Sequence, residues 1–266
     1  MNTLMKRAWH AARDLAPYNR HLTNGAVVWL KVKYHKPLPP FKFRNGFTWH
    51  HGIRDQPILL FKEIFIKCFY EPLEAPPGAV VLDIGANIGA VTLFWAEGRP
   101  DIRFHAYEPN PESFTTLRKN IDANGLSSQI IAHTEAIGSA RGEVNLWVDV
   151  PSALATSYGG APTKGARKIP VPVITLDDAW NRMGRSPIWM LKIDVEGAEG
   201  DILEGASDAV LSSVSNACIE WHNNIVPGVL ERCLKRLEEV GFSFRTRPHP
   251  GDEGLIFAER HPNPVP

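Results

Sequence analysis

An acidic residue stands at or near the end of each of three consecutive predicted strands, and a glycine-rich turn follows the first strand. The segment 80–89 reads V-V-L-D-I-G-A-N-I-G and places Asp83 two residues before the first of its two glycines. Glu108 ends the second predicted strand, and Glu135 follows the third. In a doubly wound α/β sheet, ligands bind beyond the carboxyl ends of the strands. We therefore expect the turn and these acids to surround one ligand.

The pattern D-x-G-x-N-x-G at 83–89 indicates which ligand this is. A dinucleotide fingerprint would read G-x-G-x-x-G, but Asn87 and Ala90 stand where its second and third glycines belong. This argues against an NAD-dependent oxidoreductase on the same fold. Asp83 suits a cationic amine, which NAD lacks and the methionine end of S-adenosylmethionine (SAM) possesses. The sequence therefore predicts a SAM-dependent methyltransferase.

The other two acids complete the predicted cofactor site. Glu108 can accept charge-assisted hydrogen bonds from both ribose hydroxyls, and Glu135 can hold the adenine amino group beside the backbone amide of Ala136. Gly85 and Gly89 permit close backbone approach and tight packing of helix on strand. The predicted cofactor-binding residues are Asp83, Gly85, Ala86, Asn87, Gly89, Glu108, Pro109, Glu135, Ala136 and Asp194.

If the methyl acceptor is a hydroxyl, its proton must be withdrawn, and four side chains could do so. Asp194 and Glu196 follow one predicted strand, and Glu220 and His222 end the next. Alternate residues of a strand share a face, so each pair is expected to point the same way. We predict His222 as the base, because a pKa of about 6.5 leaves an imidazole largely neutral at neutral pH.

The other members of this set have alternative roles. Asp194 is the second candidate base, or it orients the histidine, and Glu220 completes the predicted catalytic set. The acids and His222, with Asp177, could instead bind Mg²⁺ and lower the pKa of the hydroxyl. The simpler prediction is a site without a metal.

Residues 80–222 resemble the FkbM-type family of SAM-dependent methyltransferases. The resemblance rests on V-L-D-I-G-A-N-I-G, Y-E-P-N-P at 107–111, I-T-L-D-D at 174–178, K-I-D-V-E-G-A-E at 192–199 and C-I-E-W-H at 218–222. It implies O-methylation of hydroxyls on sugars, polyketides or other secondary metabolites. It also implies that Glu63 and Tyr70 belong to a segment that precedes the catalytic domain. With Glu196 and His222, these are the predicted substrate-binding residues.

The elements that position these residues form an α/β fold. Alternating strands and helices from residue 80 predict a doubly wound Rossmann-like sheet of class I methyltransferases, mostly parallel, with a C-terminal antiparallel hairpin at 242–246 and 255–259. We expect a small N-terminal extension at 1–50 and a methyltransferase domain at 51–266. An inserted loop at 149–168 is either a lid over the site or a surface insertion. Within the extension, 25–34 is predicted to be a strand.

Composition limits the function classes. The chain has 29 basic and 29 acidic residues, but nine of the basic residues and one of the acids fall in 1–44. That segment is predicted to be a solvated extension or a contact for a membrane or an acidic partner. The acidic remainder argues against nucleic-acid binding. We see no membrane span or secretory signal, and the three cysteines lack metal-ligand spacing. The expected location is therefore the cytoplasm.

Two alternatives stay open after this reasoning. The chain could be a catalytically silent SAM-binding subunit, or it could methylate another type of acceptor. The sequence predicts neither the identity of the acceptor nor the oligomeric state.

Overall fold

A seven-stranded sheet forms the centre of the computed structural model, which describes residues 13–52, 55–148 and 166–260. Its strands are β3 (Val80–Ile84), β4 (Arg103–Tyr107), β5 (Ile130–His133), β9 (Ile188–Ile193), β10 (Val214–His222), β11 (Ser243–His249) and β12 (Glu253–Glu259). They lie in the order β11-β12-β10-β9-β3-β4-β5. β12 alone runs in the opposite direction to the other six strands. The predicted Rossmann-like sheet and its closing hairpin are confirmed.

The order of the strands places the ligand region. The chain moves outward from β3 to β5 and then returns to add β9 on the other side of β3. Such a reversal leaves a crevice at the carboxyl ends of the two central strands. In the register between β3 and β9, Asp83 lies opposite Lys192.

Both faces of this sheet are covered by helices, as a parallel sheet requires. The helices are α1 (Gly25–Lys33), α2 (Pro57–Phe65), α3 (Ala90–Ala96), α4 (Pro111–Ala123), α5 (Leu176–Arg182), α6 (Glu199–Gly205), α7 (Asp208–Ser212) and α8 (Val229–Glu239). Val81 faces one hydrophobic core and Leu82 faces the other. Asn110 caps α4, and its side chain accepts from the amide of Glu112 at 3.1 Å. None of the helices in the described ranges is long and apolar enough to span a bilayer.

Three strands form a second sheet beside the cavity. They are β6 (Ala136–Gly138), β7 (Gly142–Val148) and β8 (Arg167–Thr175), in the order β6-β8-β7. β7 and β8 therefore pair with each other and do not join the central sheet. Residues 149–165 of the predicted loop lie outside the described residues, and its last two residues begin β8.

The predicted strand at 25–34 is wrong, because this segment is the helix α1. A short apolar run does not distinguish a strand from a buried helix by its pattern alone. Residues 13–21 are also helical. The start of α1 lies close against this segment, since a Cβ on Gly25 would be 2.6 Å from the backbone of Tyr18. The two short strands β1 (Phe41–Lys42) and β2 (Thr48–Trp49) follow.

Residues 13–49 are an integral part of the core. Tyr18 stacks on Phe61 of α2 at 5.4 Å, and Phe41 meets the same ring edge-on at 5.8 Å. The segment predicted to be an extension therefore shares its hydrophobic core with α2, which also contributes to the site described below.

Candidate functional site

A cavity of about 670 Å³ opens at the carboxyl ends of β3, β4, β9 and β10. Eleven of the fifteen residues predicted from the sequence line it: Glu63, Gly85, Asn87, Glu108, Pro109, Glu135, Ala136, Asp194, Glu196, Glu220 and His222. The remaining four, Asp83, Ala86, Gly89 and Tyr70, are buried behind the wall. The structure therefore gathers the two halves of the predicted site, for cofactor and acceptor, in a single cavity.

The glycine turn after β3 is shaped by packing within the protein. Gly85 has φ of +79°, and a Cβ there would lie 1.7 Å from the carbonyl oxygen of Asp194. Gly89 has φ of +85°, and its Cβ would lie 2.6 Å from the side chain of Leu117 on α4. Both glycines are thus required by a neighbouring element. The tight packing predicted for them is present, and it brings Asp194 directly against the turn.

Asp83 anchors the interior of the site and has no atom exposed to the cavity. Its side chain is fully buried, accepts a hydrogen bond from the hydroxyl of Thr92, and lies 3.0 Å from Nζ of Lys192. The carboxylate of Asp83 is thus directed at Lys192, and the contact predicted between Asp83 and the amine of a ligand stays a prediction that this geometry does not favour. The motif predicts where the acid lies along its strand, but its contact with Lys192 depends on the register between β3 and β9.

Lys192 links three parts of the site. Its ammonium group contacts Asp83, donates to the carbonyl of Gly85 at 3.1 Å, and lies 3.5 Å from Oδ2 of Asp194. Burial by itself would lower the pKa of Lys192, but the negative charges of Asp83 and Asp194 raise it above its usual range. Lys192 is therefore charged, and it fixes the glycine turn relative to the acid that follows β9.

Glu108 presents a buried carboxylate at the end of β4. Its two oxygens accept from the backbone amides of Asn87 and Asn110, both at 2.7 Å. Burial raises the pKa of Glu108 to about 7, although these two amides oppose the shift. Each oxygen keeps a further acceptor site, because a carboxylate offers about four lone-pair positions. Glu108 is thus oriented by the glycine turn and can accept two further hydrogen bonds on the cavity side.

Glu135 lies on the opposite part of the wall, where it pairs with Arg182 at 2.7 Å. Desolvation opposes ionisation, but the hydrogen bond from Arg182 prevails and lowers the pKa of Glu135. Ala136 begins β6 beside it. The predicted adenine contacts thus line the cavity, with the carboxylate of Glu135 already engaged by an arginine.

The acceptor side of the cavity is crowded with acids. Glu220 accepts from the hydroxyl of Tyr70 at 2.8 Å, and that hydroxyl also lies 3.5 Å from Asp194. Burial and then the charge of Asp194 raise the pKa of Glu220 to about 8. Burial also raises the pKa of Glu63 to about 7. Tyr70, a predicted substrate-binding residue, therefore contacts Glu220 from behind the wall.

His222 forms a buried dyad with Glu199, the first residue of α6. Nδ1 of the imidazole lies 2.8 Å from Oε1 of Glu199, and both side chains are almost fully buried. Glu199 also accepts from the backbone amides of Val195 and Gly197, so it is held by the turn after β9. Asp194 was predicted either to be the base or to orient the histidine, but the carboxylate that bonds to Nδ1 of His222 is that of Glu199.

The other ring nitrogen of His222 faces the cavity. Nε2 lies 3.6 Å from Oε2 of Glu196. Burial would lower the pKa of His222, but the hydrogen bond to Glu199 and the surrounding carboxylates raise it to about 10. The expectation of a histidine that is largely neutral at neutral pH is therefore wrong, because the sequence does not reveal how many acids converge on it.

Asp194, Glu196 and His222 also form a set that could hold a cation. One potential ligand atom from each lies within 4.8 Å of the other two. The backbone of Glu196 is left-handed, with φ of +56°, which costs of order 1–3 kcal/mol outside glycine. Asp177, the fourth ligand considered from the sequence, is occupied elsewhere by Ser207.

Comparison with known proteins identifies the chain. The family model described as the methyltransferase FkbM domain matches residues 83–244, which is more than half of the chain. The chain belongs to the FkbM methyltransferase family. The predicted family is thereby confirmed, and the matched range contains the glycine turn, Glu108, the Lys192 to Glu199 block and the end of β10.

Individual relatives of this FkbM-family protein are distant. The 31-O-demethyl-FK506 methyltransferase FkbM of Streptomyces tacrolimicus is 29% identical over 75% of this chain and 86% of its own length. The hexuronic acid methyltransferase AglP of Haloferax volcanii is 26% identical over 70% of this chain and 73% of its own. The crystal structure of an FkbM methyltransferase from Methylobacillus flagellatus is 16% identical with a TM-score of 0.49, over 74% of this chain and 52% of that one.

Two residues that hold the candidate site together, Lys192 and Glu199, were missed from the sequence. Both lie in the K-I-D-V-E-G-A-E block that carried the resemblance. Lys192 stands between apolar residues in a buried strand, which is itself a signal because a lysine is almost never fully buried without a partner. Glu199 gave no such signal, since an acid in the first turn of a helix is ordinary.

Proposed function

We propose that this protein is a SAM-dependent O-methyltransferase acting on a hydroxyl of a sugar, glycan or secondary metabolite. The observation that carries the proposal is that Glu108, after β4, and His222, at the end of β10, line one cavity, with Glu199 hydrogen-bonded to the histidine from behind. Glu108 is suited to bind a ribose, and His222 is suited to accept a proton. The name of the Streptomyces tacrolimicus relative specifies a demethylated oxygen, which supports a hydroxyl acceptor.

The residues on the cofactor side fit SAM in their chemistry. The Glu108 carboxylate can accept from the ribose hydroxyls, while Glu135 and the amide of Ala136 are available to the adenine. Asp194 is a partly exposed carboxylate that can meet the amine, the role predicted for Asp83. When bound, SAM supplies a methyl group on a cationic sulfur. Everything else in the reaction falls to the residues of the chain.

The acceptor side would orient the hydroxyl and remove its proton. Glu63, Glu196 and Glu220 offer hydrogen-bond partners to a polyol, and holding the reacting oxygen in place can supply roughly 7–11 kcal/mol of the barrier. The hydroxyl proton would pass to Nε2 of His222 when that nitrogen is neutral. Glu199 would then stabilise the imidazolium, as the carboxylate partner of a catalytic histidine does.

The proposal is tested by supplying the purified protein with methyl-labelled SAM and a panel of sugars, glycans and macrolides. Transfer of label to an oxygen, located by mass spectrometry and NMR, is the expected result. Binding of S-adenosylhomocysteine without methylation of any extract from the source cells would instead favour the silent subunit. Absence of S-adenosylhomocysteine binding would remove the cofactor assignment.

Glu108→Gln is expected to weaken S-adenosylhomocysteine binding by roughly 10–100-fold, because hydrogen bonds to a charged group are worth about 1.5–3 kcal/mol. Binding to the unmodified protein should also strengthen as pH rises through about 7, since the carboxylate ionises there. Titration calorimetry on both proteins measures the two effects. Glu135→Gln is the matched control and should lose less, because Arg182 already engages that carboxylate. Equal affinity of Glu108→Gln and the unmodified protein would contradict the ribose assignment.

Chelation is expected to leave methyl transfer unchanged. The imidazolium of His222 already supplies a positive charge among Glu196, Glu199 and Asp194, so the set of carboxylates does not need a metal to balance it. The measurement is turnover with and without EDTA, followed by addition of Mg²⁺. A loss of activity that Mg²⁺ restores would assign Asp194, Glu196 and His222 to a metal.

A further inference from the structure

The helix α1 presents a stripe of apolar side chains to solvent. Val27 is 48% exposed, Leu30 is 45% exposed, and Tyr34, directly after the helix, is 60% exposed. These positions are three and four residues apart and therefore lie on one side of the helix. Another side is anchored through Val28, which is fully buried in the core. The exposed side is thus a stable surface and not a loosely packed end of the chain.

Basic residues stand at both ends of this stripe. Lys33 ends α1 and Lys36 follows it, and both are exposed. At the other end, Lys42 is held near the start of the helix, since its amide donates to the side chain of Asn24 at 3.1 Å. Across residues 13–52, seven lysines and arginines are accompanied by one acid, Asp14. The segment that carries the stripe is therefore predominantly positive.

We propose that α1 docks the protein on the surface of an anionic phospholipid bilayer. A helix in the plane of a membrane buries an apolar face at the level of the headgroups, while lysines beside it attract anionic lipid. Nζ of Lys33 lies 4.8 Å from the centroid of the Trp29 ring and 5.8 Å from that of Tyr34. Tryptophan, tyrosine and lysine are side chains typical of the boundary between membrane and water.

A bilayer fits this surface better than an acidic protein does. A stable protein interface buries about 800 Å² on each partner, whereas the stripe consists of three apolar side chains, two on a helix of nine residues and one directly after it. A bilayer can take up a narrow apolar stripe, and its anionic headgroups reach the basic residues at both ends of the stripe. No residue of α1 lines the cavity, so the docking proposal does not depend on the proposed reaction.

The test is co-sedimentation of the full-length protein with vesicles. Vesicles of phosphatidylcholine and phosphatidylserine should bind the protein, vesicles of phosphatidylcholine alone should bind it weakly, and the binding should fall as salt concentration rises. The double variant Val27→Ser/Leu30→Ser should lose affinity for the anionic vesicles by about tenfold or more. Lys33→Gln/Lys36→Gln should weaken binding and reduce its dependence on salt.

Ile131→Ser is the matched control, because Ile131 on β5 is 50% exposed but lies outside α1. It should bind vesicles like the unmodified protein. Thermal unfolding and S-adenosylhomocysteine affinity should be equal in all of these proteins, which separates docking from folding and from the cofactor site. Equal binding to neutral and anionic vesicles would overturn the proposal, as would unchanged binding of Val27→Ser/Leu30→Ser. Binding to poly-L-glutamate without binding to vesicles would also overturn it, in favour of an acidic protein partner.

Discussion

His222→Asn is expected to lower turnover by about 10²–10⁴-fold, the contribution of a positioned general base, with little change in the affinity for S-adenosylhomocysteine. The separation follows from the geometry. Nε2 of His222 faces Glu196 on the acceptor side, while the ribose is assigned to Glu108 at the end of β4. Turnover is measured with an acceptor that the unmodified protein methylates, and the affinity for S-adenosylhomocysteine is measured by titration calorimetry.

The pH dependence of turnover tests the same assignment more stringently. A base works only when it is deprotonated, and His222 has a pKa of about 10. Turnover of the unmodified protein should therefore rise with pH from the neutral range into the alkaline range. In His222→Asn this rise should disappear, because the group that titrates has been removed.

Glu196→Gln provides the complementary variant. The carboxylate of Glu196 is one of the groups that raise the pKa of His222, so its removal lowers that pKa and increases the neutral fraction at neutral pH. The rise in turnover should therefore move to lower pH, and measuring kcat and KM separately shows whether acceptor binding has also changed. If His222→Asn keeps both the rate and the pH profile of the unmodified protein, His222 is not the base and Asp194 becomes the candidate.

The strand ends of this site could be predicted from the sequence, because in a parallel sheet they meet at one edge regardless of the details of packing. Glu108, Glu135, Asp194 and His222 were placed correctly on this basis. Which group each one contacts depends on neighbours that are distant in sequence. Asp83 was assigned to a ligand because its partner, Lys192, is identified only by the register between β3 and β9.

The same limit explains the protonation of His222. A single histidine at a strand end is expected to titrate near its ordinary value, and the sequence gives no sign that a turn folds Glu199 back onto it. That turn depends on left-handed backbone at Glu196 and Gly197, which local propensity does not predict for a glutamate. The helix α1 was missed for a different reason, since its exposed side is as apolar as its buried side.

Lys192→Met is expected to destabilise the protein by about 3–5 kcal/mol, because removing one partner of a buried ion pair leaves the other charge uncompensated. Asp83 is fully buried, and its ion pair with Lys192 would be lost. For a chain of this size, a loss of that magnitude lowers Tm by roughly 6–20 °C. The measurement is thermal unfolding by circular dichroism, with urea unfolding for the free energy.

A matched control comes from Lys235→Met, which makes the same chemical change at an exposed lysine. Lys235 lies 3.9 Å from Glu239, and its side chain is 79% exposed, so the loss should stay below about 1 kcal/mol. Adding Asp83→Asn to Lys192→Met should recover part of the lost stability, since the buried carboxylate is then neutral. Such a recovery would establish Asp83 and Lys192 as an interior pair that fixes the glycine turn. If Lys192→Met and Lys235→Met unfold at the same temperature, Asp83 is not held by Lys192, and a direct role for Asp83 in binding the cofactor would be restored.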